Sequence, residues 1–320
     1  MKYKIFVDGQ EGTTGLKIHE RLETRNDIQI LKISAEKRKD IDERKKLINM
    51  SDIVFLCLPD DSAKESVSLV ENNNTRIIDA STAHRTNEAW VYGLPELDKT
   101  QRQKIKTSKR VCVPGCYATG FNLAVFPLVN EGILPKDYPV TCQAISGYSG
   151  AGKKMIEKYE ISEAHSEKLR SPRFYSLGLA HKHIPEMQKI SGLKYAPLFT
   201  PIIANYFKGM SVAIPLFPRL LSKTISGNEL QKFLTNYYKD EHFIKVMPYG
   251  EESNLDNGFL GAMECNDTNT LQLFVFGNSD QILLMSRLDN LGKGASGAAI
   301  QVMNIMLGID EMCGLETLKI

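Results

Sequence analysis

The sequence predicts an α/β protein: a doubly wound parallel sheet followed by an α+β domain with a mixed sheet. Two patterns predict it. In the first third, short apolar runs at Tyr3–Asp8, Ile28–Ile33, Asp52–Leu58, Arg76–Asp79 and Arg110–Val113 alternate with charged stretches of 3.6-residue period. Alternation of this kind joins parallel strands through helical crossovers. From Val140 the strands expected at Val140–Ser146, Leu198–Ile203, Gly209–Phe217, Phe243–Val246, Phe259–Asn266, Thr270–Gly277 and Gln281–Leu288 mostly follow one another directly. That order favours antiparallel or mixed pairing, with helices at Ala151–Lys168, Pro185–Ser191 and Asn228–Lys239 over one face. A final apolar helix, Ala295–Leu307, is expected to return to the first domain. Residues 1–115 and 290–320 would then form one domain and residues 116–289 the other.

Composition narrows the function classes. A chain of 320 residues with 42% hydrophobic and 24% charged side chains can bury two cores of ordinary size. The net charge is only +2 and its Lys and Arg residues are scattered, so no field dedicated to nucleic acid is expected. The opening residues read directly as a strand, and no apolar run is long enough to span a bilayer. The expectation is a cytoplasmic protein whose partners are small molecules. Six cysteines, Cys57, Cys112, Cys116, Cys142, Cys265 and Cys313, are dispersed without a C-x-x-C pair, which argues against a disulfide framework and a structural zinc site.

The chemistry-bearing segments lie where such a sheet would use them. Gly9, Gly12, Thr13, Thr14 and Gly15 stand between the first strand and a helix. Glycines there let the backbone approach a pyrophosphate, and the helix start offers N–H groups and a positive dipole end, as in a Rossmann-type domain. After the second strand come Ser34, Lys37 and Arg38, where an NAD enzyme would place a carboxylate; a hydroxyl and two cations suit the 2′-phosphate of NADP. Ser81 and Arg85 follow a strand's C-terminal end and could meet an anion. Tyr148, Ser149, Gly150 and Lys153 repeat that character before a helix in the second domain.

Val113-Pro114-Gly115-Cys116 makes a bend that delivers Cys116 to the first turn of a helix, where unpaired N–H groups and the dipole stabilise a thiolate. Cys57 and Cys142 read instead as small buried hydrophobes within strands. A thiolate nucleophile wants a proton shuttle. His181 and His183, two of only six histidines, precede Pro185 at a helix start, and one of them could simply cap that helix. No cluster of further ligands accompanies the pair, so no metal is expected.

Over its whole length the chain resembles the shorter class of N-acetyl-γ-glutamyl-phosphate reductases, related more distantly to aspartate-semialdehyde dehydrogenases. The resemblance rests on residues 8–15, 57–61, 79–85, 92–96, 114–119, 147–153, 181–186 and 290–295, in that order and spacing. It implies that Cys116 is the nucleophile, that His183 is the acid/base, and that Glu186 assists it. It also implies that Cys57, Leu58 and Pro59 border the NADP site and that Asn290 lies near the nicotinamide. The implied reaction is NADPH-dependent reduction of an acyl phosphate through a Cys thioester, a step of arginine biosynthesis, with release of inorganic phosphate. The second domain would serve for substrate binding and dimerisation in a homo-oligomer, a tetramer or dimer. Three alternatives are separable by experiment. A semialdehyde dehydrogenase of the aspartate type differs in its substrate panel, an NADP sensor would carry an unreactive Cys116, and a zinc hydrolase on His181 and His183 would hold stoichiometric metal.

Overall fold

A computed structural model describes residues 2–160, 167–250 and 252–318. The chain forms two compact units, Met1–Gly115 with Ala295–Leu315, and Cys116–Gly294 with Glu316–Ile320.

The first unit contains β1 (Tyr3–Asp8), α1 (Thr13–Glu23), β2 (Ile28–Leu31), α2 (Ile41–Met50), β3 (Ile53–Leu56), α3 (Asp60–Ser68), β4 (Arg76–Asp79), β5 (Val91–Tyr92), α4 (Gln101–Thr107) and β6 (Arg110–Cys112). Its sheet runs β2-β1-β3-β4-β6-β5 with every pair parallel, so the winding direction reverses between β1 and β3. Strands covered on both faces must be apolar throughout, which is why β3 buries all of Ile53, Val54, Phe55 and Leu56. The helices carry local start signals: the Asp40 side chain accepts from the Glu43 N–H at 3.0 Å to cap α2. The reversal leaves the loop after β1 at the carboxyl edge of the sheet, where open α/β folds bind ligands.

The second unit contains α5 (Cys116–Asn130), β7 (Thr141–Gly147), a 3₁₀ turn (Tyr148–Ala151), α6 (Lys153–Glu160), α7 (Glu167–Arg170), β8 (Arg173–Phe174), α8 (Ile184–Ser191), β9 (Leu198–Ala204), β10 (Met210–Leu216), α9 (Gly227–Tyr237), β11 (Ile244–Val246), β12 (Leu271–Gly277) and β13 (Ile282–Leu288). Its mixed sheet runs β11-β12-β13-β10-β7-β9-β8, with β7–β9 and β11–β12 parallel and the other pairs antiparallel. Helix α5 is buried on nearly every side and lies on β10 and β13. Gly120 permits that approach, because a Cβ there would fall 2.5 Å from Ser286 Oγ. A single π-helical turn, Gly292–Ser296, then leads into α10 (Gly297–Leu307), which packs on α1, α4 and β4 of the first unit, to which it belongs.

Several expectations are corrected. No strand forms over Phe259–Asn266: Asn257 and Gly258 adopt φ of 49° and 86° to make a turn, and Phe259 projects into solvent. The helix expected over Ala151–Lys168 is interrupted at Gly152, whose φ of 84° separates the 3₁₀ turn from α6, and residues 161–166 of it lie outside the described residues. By contact, the chain rejoins the first unit at Ala295. Residues 289–294 are tied into the second unit by bonds from the Asp267 and Leu291 N–H groups to the Asp289 carboxylate. The tail joins the same unit, Glu316 O accepting from the Asn269 N–H at 2.7 Å. Two-residue strands β5 and β8 carry too little pattern to be expected from sequence.

Candidate active site

Within the first unit, Gly9 and Gly15 are required by the protein's own packing. A Cβ on Gly9, at φ +91°, would lie 2.4 Å from the Cys57 carbonyl oxygen, and one on Gly15 would lie 2.4 Å from the Gly9 carbonyl oxygen. The loop is therefore clamped onto the end of β3, where the Cys57 N–H donates to Asp8 O at 2.8 Å. Gly12 differs: a Cβ there would find only ordinary contacts, from 3.6 Å outward, so the protein's own packing does not require a glycine at this position. No side chain caps the start of α1, whose first turn holds Thr13, Thr14 and Gly15. Beside the loop opens a cavity of about 430 Å³ lined by Leu58, Ile33 and Ile41 on its apolar side and by Arg38, Lys39 and Arg44 among its charged groups. A clamped glycine turn, an uncapped helix start and an adjoining half-apolar cavity fit a dinucleotide.

The neighbouring residues divide. Pro59 precedes α3 at its N-cap position, and Leu58 touches the Gly9 position. Ser34 bonds Glu36, lowering that carboxyl's pKa behind the larger effect of its own backbone N–H, and Lys37 turns to Glu43 at 3.6 Å. Arg38 pairs with Glu11. Ser81 and Arg85 serve their own loop: Ser81 Oγ donates to Asp79 Oδ2 at 2.8 Å, and Arg85 donates to the Val113 and Ala80 carbonyls at 2.9 and 3.1 Å. A feature not anticipated from sequence completes that loop, for buried His84 bonds Asp79 at 2.6 Å and stacks on Trp90 with centroids 4.0 Å apart.

In the second unit, Cys116 is the first residue of α5 and the only residue from 111 to 125 that is not fully buried. The residue thus opens a helix while remaining partly exposed. Behind it, Gly294 of the π turn approaches so closely that a Cβ there would lie 2.7 Å from Cys116 Cβ. Burial pushes the thiols of Cys57, just past β3, and Cys142, within β7, far up, and that of Cys265, in a turn, to about 11.

Helix α8 packs on α5 and carries the histidine pair at its start. His183 is the backbone N-cap of α8, but its ring makes no capping bond. The ring held by local structure is that of His181, whose Nδ1 accepts from the His183 N–H at 3.2 Å. Burial, helped by Lys182, lowers His181 to about 4, so it is neutral at pH 7. Both rings stand edge-on to Tyr117, at 5.7 and 5.8 Å between centroids, and Glu186 is buried in the first turn of α8. Tyr175, absent from the sequence reading because its loop has no periodicity, bonds Tyr117 through their hydroxyls at 3.1 Å. Burial, reinforced by the nearby Cys116 sulfur, pushes the Tyr175 phenol to about 12.

The candidate anion segment is partly internal. Ser149 is buried and its Oγ accepts from Asn290 Nδ2 at 3.0 Å, while Asn290 Oδ1 accepts from the Gly209 N–H at 2.8 Å. Tyr148 stacks on Tyr159 at 4.5 Å, and Gly150 and Lys153 remain exposed beside the start of α6.

Two family models match this layout: the semialdehyde dehydrogenase NAD binding domain over residues 4–107 and the semialdehyde dehydrogenase dimerisation domain over residues 116–290. Solved structures share the fold. Aspartate semialdehyde dehydrogenase II of Vibrio cholerae complexed with ASA aligns at TM-score 0.73 with 13% identity, covering 96% of this chain and 99% of that one. Aspartate semialdehyde dehydrogenase with NADP from Candida albicans aligns at 0.68 with 14% identity and the same coverage. Fold and domain matches together define a dinucleotide-binding protein of the semialdehyde dehydrogenase class. Sequence similarity is more specific: N-acetyl-gamma-glutamyl-phosphate reductase 2 of Nostoc sp. is 49% identical over 320 residues, covering 98% of this chain and 99% of that protein. Its namesake from Pseudomonas putida is 45% identical over 309 residues, covering 95% and 96%. The chain belongs to the N-acetyl-γ-glutamyl-phosphate reductase family.

Proposed function

We propose that this chain reduces N-acetyl-L-glutamyl 5-phosphate to N-acetyl-L-glutamate 5-semialdehyde with release of phosphate, using NADPH. Among the observations here, the one that carries the chemistry is Cys116, a single accessible thiol in an otherwise buried stretch, at the opening of α5 with a histidine pair on the adjoining helix.

The Cys116 thiolate attacks the acyl carbon; a sulfur–carbon bond forms, the carbon–oxygen bond to phosphate breaks, and a thioester remains. Bound NADPH supplies the hydride that reduces this thioester. His183 holds the proton needed by the developing alkoxide, then takes it back as the sulfur–carbon bond breaks and the aldehyde leaves. His181 is unsuited to that task, since its Nδ1 is committed to the His183 backbone and its pKa is about 4. Glu186, one helical turn from His183, orients it. Backbone N–H groups at the start of α5 stabilise the oxyanion. Gly150, Lys153 and Tyr148 border the substrate's anionic groups, Ser149 and Asn290 hold that segment in place, and Ser81 and Arg85 shape their loop. In the dinucleotide unit, Gly9 to Gly15 receive the pyrophosphate, Cys57, Leu58 and Pro59 wall the site, and Arg38 faces the ribose phosphate, with Ser34 and Lys37 in the same turn engaged with Glu36 and Glu43. The dimerisation-domain match supports a homo-oligomer, a dimer or tetramer formed through the second unit's sheet. The reading includes a cytoplasmic setting, where a reducing environment would keep the Cys116 thiol available.

The test runs the reaction backwards: NADP reduction by N-acetylglutamate semialdehyde should require phosphate and should fall by about a thousandfold or more in Cys116→Ser. Near-normal turnover of that variant, or turnover without phosphate, refutes the mechanism. Aspartate semialdehyde as a better substrate would refute the acyl group.

A further inference from the structure

We propose that Glu11 is a built-in counterion standing at the 2′-phosphate position of the dinucleotide site, and that it sets the strength of the preference for NADP(H) over NAD(H). The inference rests on the NADPH reading above. The charged groups lining the cavity beside the glycine loop are Arg38, Lys39 and Arg44 against Asp8, Glu11 and Glu65, three of each sign. They differ in how firmly they are held. Arg44 is buried and fixed by Asp8 at 3.1 Å, Glu65 at 2.8 Å and Ser66 at 2.6 Å, so its charge is matched from within. Arg38 and Lys39 stand at the exposed rim, and Arg38 takes Glu11 as its partner. Lys37, the other cation of that turn, faces Glu43 and does not line the cavity.

A phosphate entering a balanced site meets no net attraction. When Glu11 swings aside, the lining becomes net positive and the planar guanidinium of Arg38 is released for a bidentate phosphate contact. NAD(H), which has no 2′-phosphate, has no use for that exchange and leaves the Glu11–Arg38 pair closed. Glu11 therefore opposes NADP(H) alone. Both side chains are about half exposed, which limits the opposition to roughly fivefold in affinity.

Calorimetric titration of the intact protein with NADPH, NADH, adenosine 2′,5′-bisphosphate and 5′-AMP tests this without reading catalysis. Glu11→Gln should bind NADPH and the bisphosphate about two- to fivefold more tightly and leave NADH and 5′-AMP unchanged. Arg38→Gln should weaken NADPH by about tenfold or more, and Glu11→Gln added to it should tighten NADPH by less than it does with Arg38 in place, since only the charge effect remains. Glu11→Ala, which cannot substitute a hydrogen bond, should reproduce the tightening. Unchanged or weaker NADPH binding in both Glu11 variants overturns the inference while leaving the cofactor reading intact. A parent protein that binds neither dinucleotide overturns both.

Discussion

Replacing Asn290 by alanine separates a structural role from a cofactor role. Its buried side chain accepts from the Gly209 N–H at 2.8 Å and donates to Ser149 Oγ at 3.0 Å, so truncation leaves two buried polar groups without those partners. Each such loss costs about 1–3 kcal/mol, giving roughly 2–6 kcal/mol in all. The effect should be local first. Hydrogen exchange of the Gly209 amide should accelerate by about thirtyfold or more, the equivalent of 2 kcal/mol, when followed by mass spectrometry of a peptide spanning residues 205–212. Ser149→Ala should cost less, about 1 kcal/mol, and should combine with Asn290→Ala sub-additively because the two share one bond. If Asn290→Ala left Gly209 protection unchanged in the ligand-free protein and only raised the KM for NADPH, the argument from these bonds would be wrong and the amide would be a nicotinamide contact.

Other outcomes follow from single positions. Gly9→Ala should destabilise the first unit by about 2 kcal/mol or more and weaken NADPH binding, because its Cβ meets the Cys57 carbonyl oxygen at 2.4 Å and φ is +91°; thermal unfolding and calorimetry check it. Asp8→Asn breaks the buried pair with Arg44 at 3.1 Å and should cost about 3–5 kcal/mol in urea unfolding, whereas a cost below 1 kcal/mol would show that Glu65 suffices. His181 has a folded pKa of about 4, below its ordinary value of 6.5, so the unfolded chain binds more protons between these values and stability falls as pH drops through that window. Allowing for its partial exposure, the loss from pH 6.5 to 5 is about 1 kcal/mol, and denaturation curves of His181→Phe should lack that part of the slope.

Periodicity made most of the architecture legible because buried parallel strands and amphipathic helices carry strong patterns; β1, β3 and β4 emerge within a residue or two of their expected ends. Legibility fails where a tertiary bond replaces a pattern. Residues 259–266 alternate like a strand, yet they are held by Arg287, which donates to the Gly261 carbonyl at 3.1 Å and to Glu264 at 2.7 Å. The site divides in the same way. The glycine loop and Cys116 could be read from sequence because their requirements are local: a turn geometry and a helix start. Whether Ser81, Arg85, Ser149 and Asn290 face a ligand or their own scaffold depends on the partners of their side chains, two to 141 residues away, which periodicity does not record.

The histidine pair shows what geometry adds to such a motif. Sequence offers two imidazoles two residues apart and a helix start that one of them could cap. The structure gives the capping position to His183 through its backbone alone and gives the local hydrogen bond to the ring of His181. An imidazole accepting a backbone N–H at Nδ1, in surroundings that disfavour its cation, is held in its neutral form and is the weaker base of a pair so placed. Fixing one ring in this way also orients the backbone from which the second ring projects, so the two histidines are not redundant. His181 holds the helix start, and in the proposed mechanism the proton transfer falls to His183.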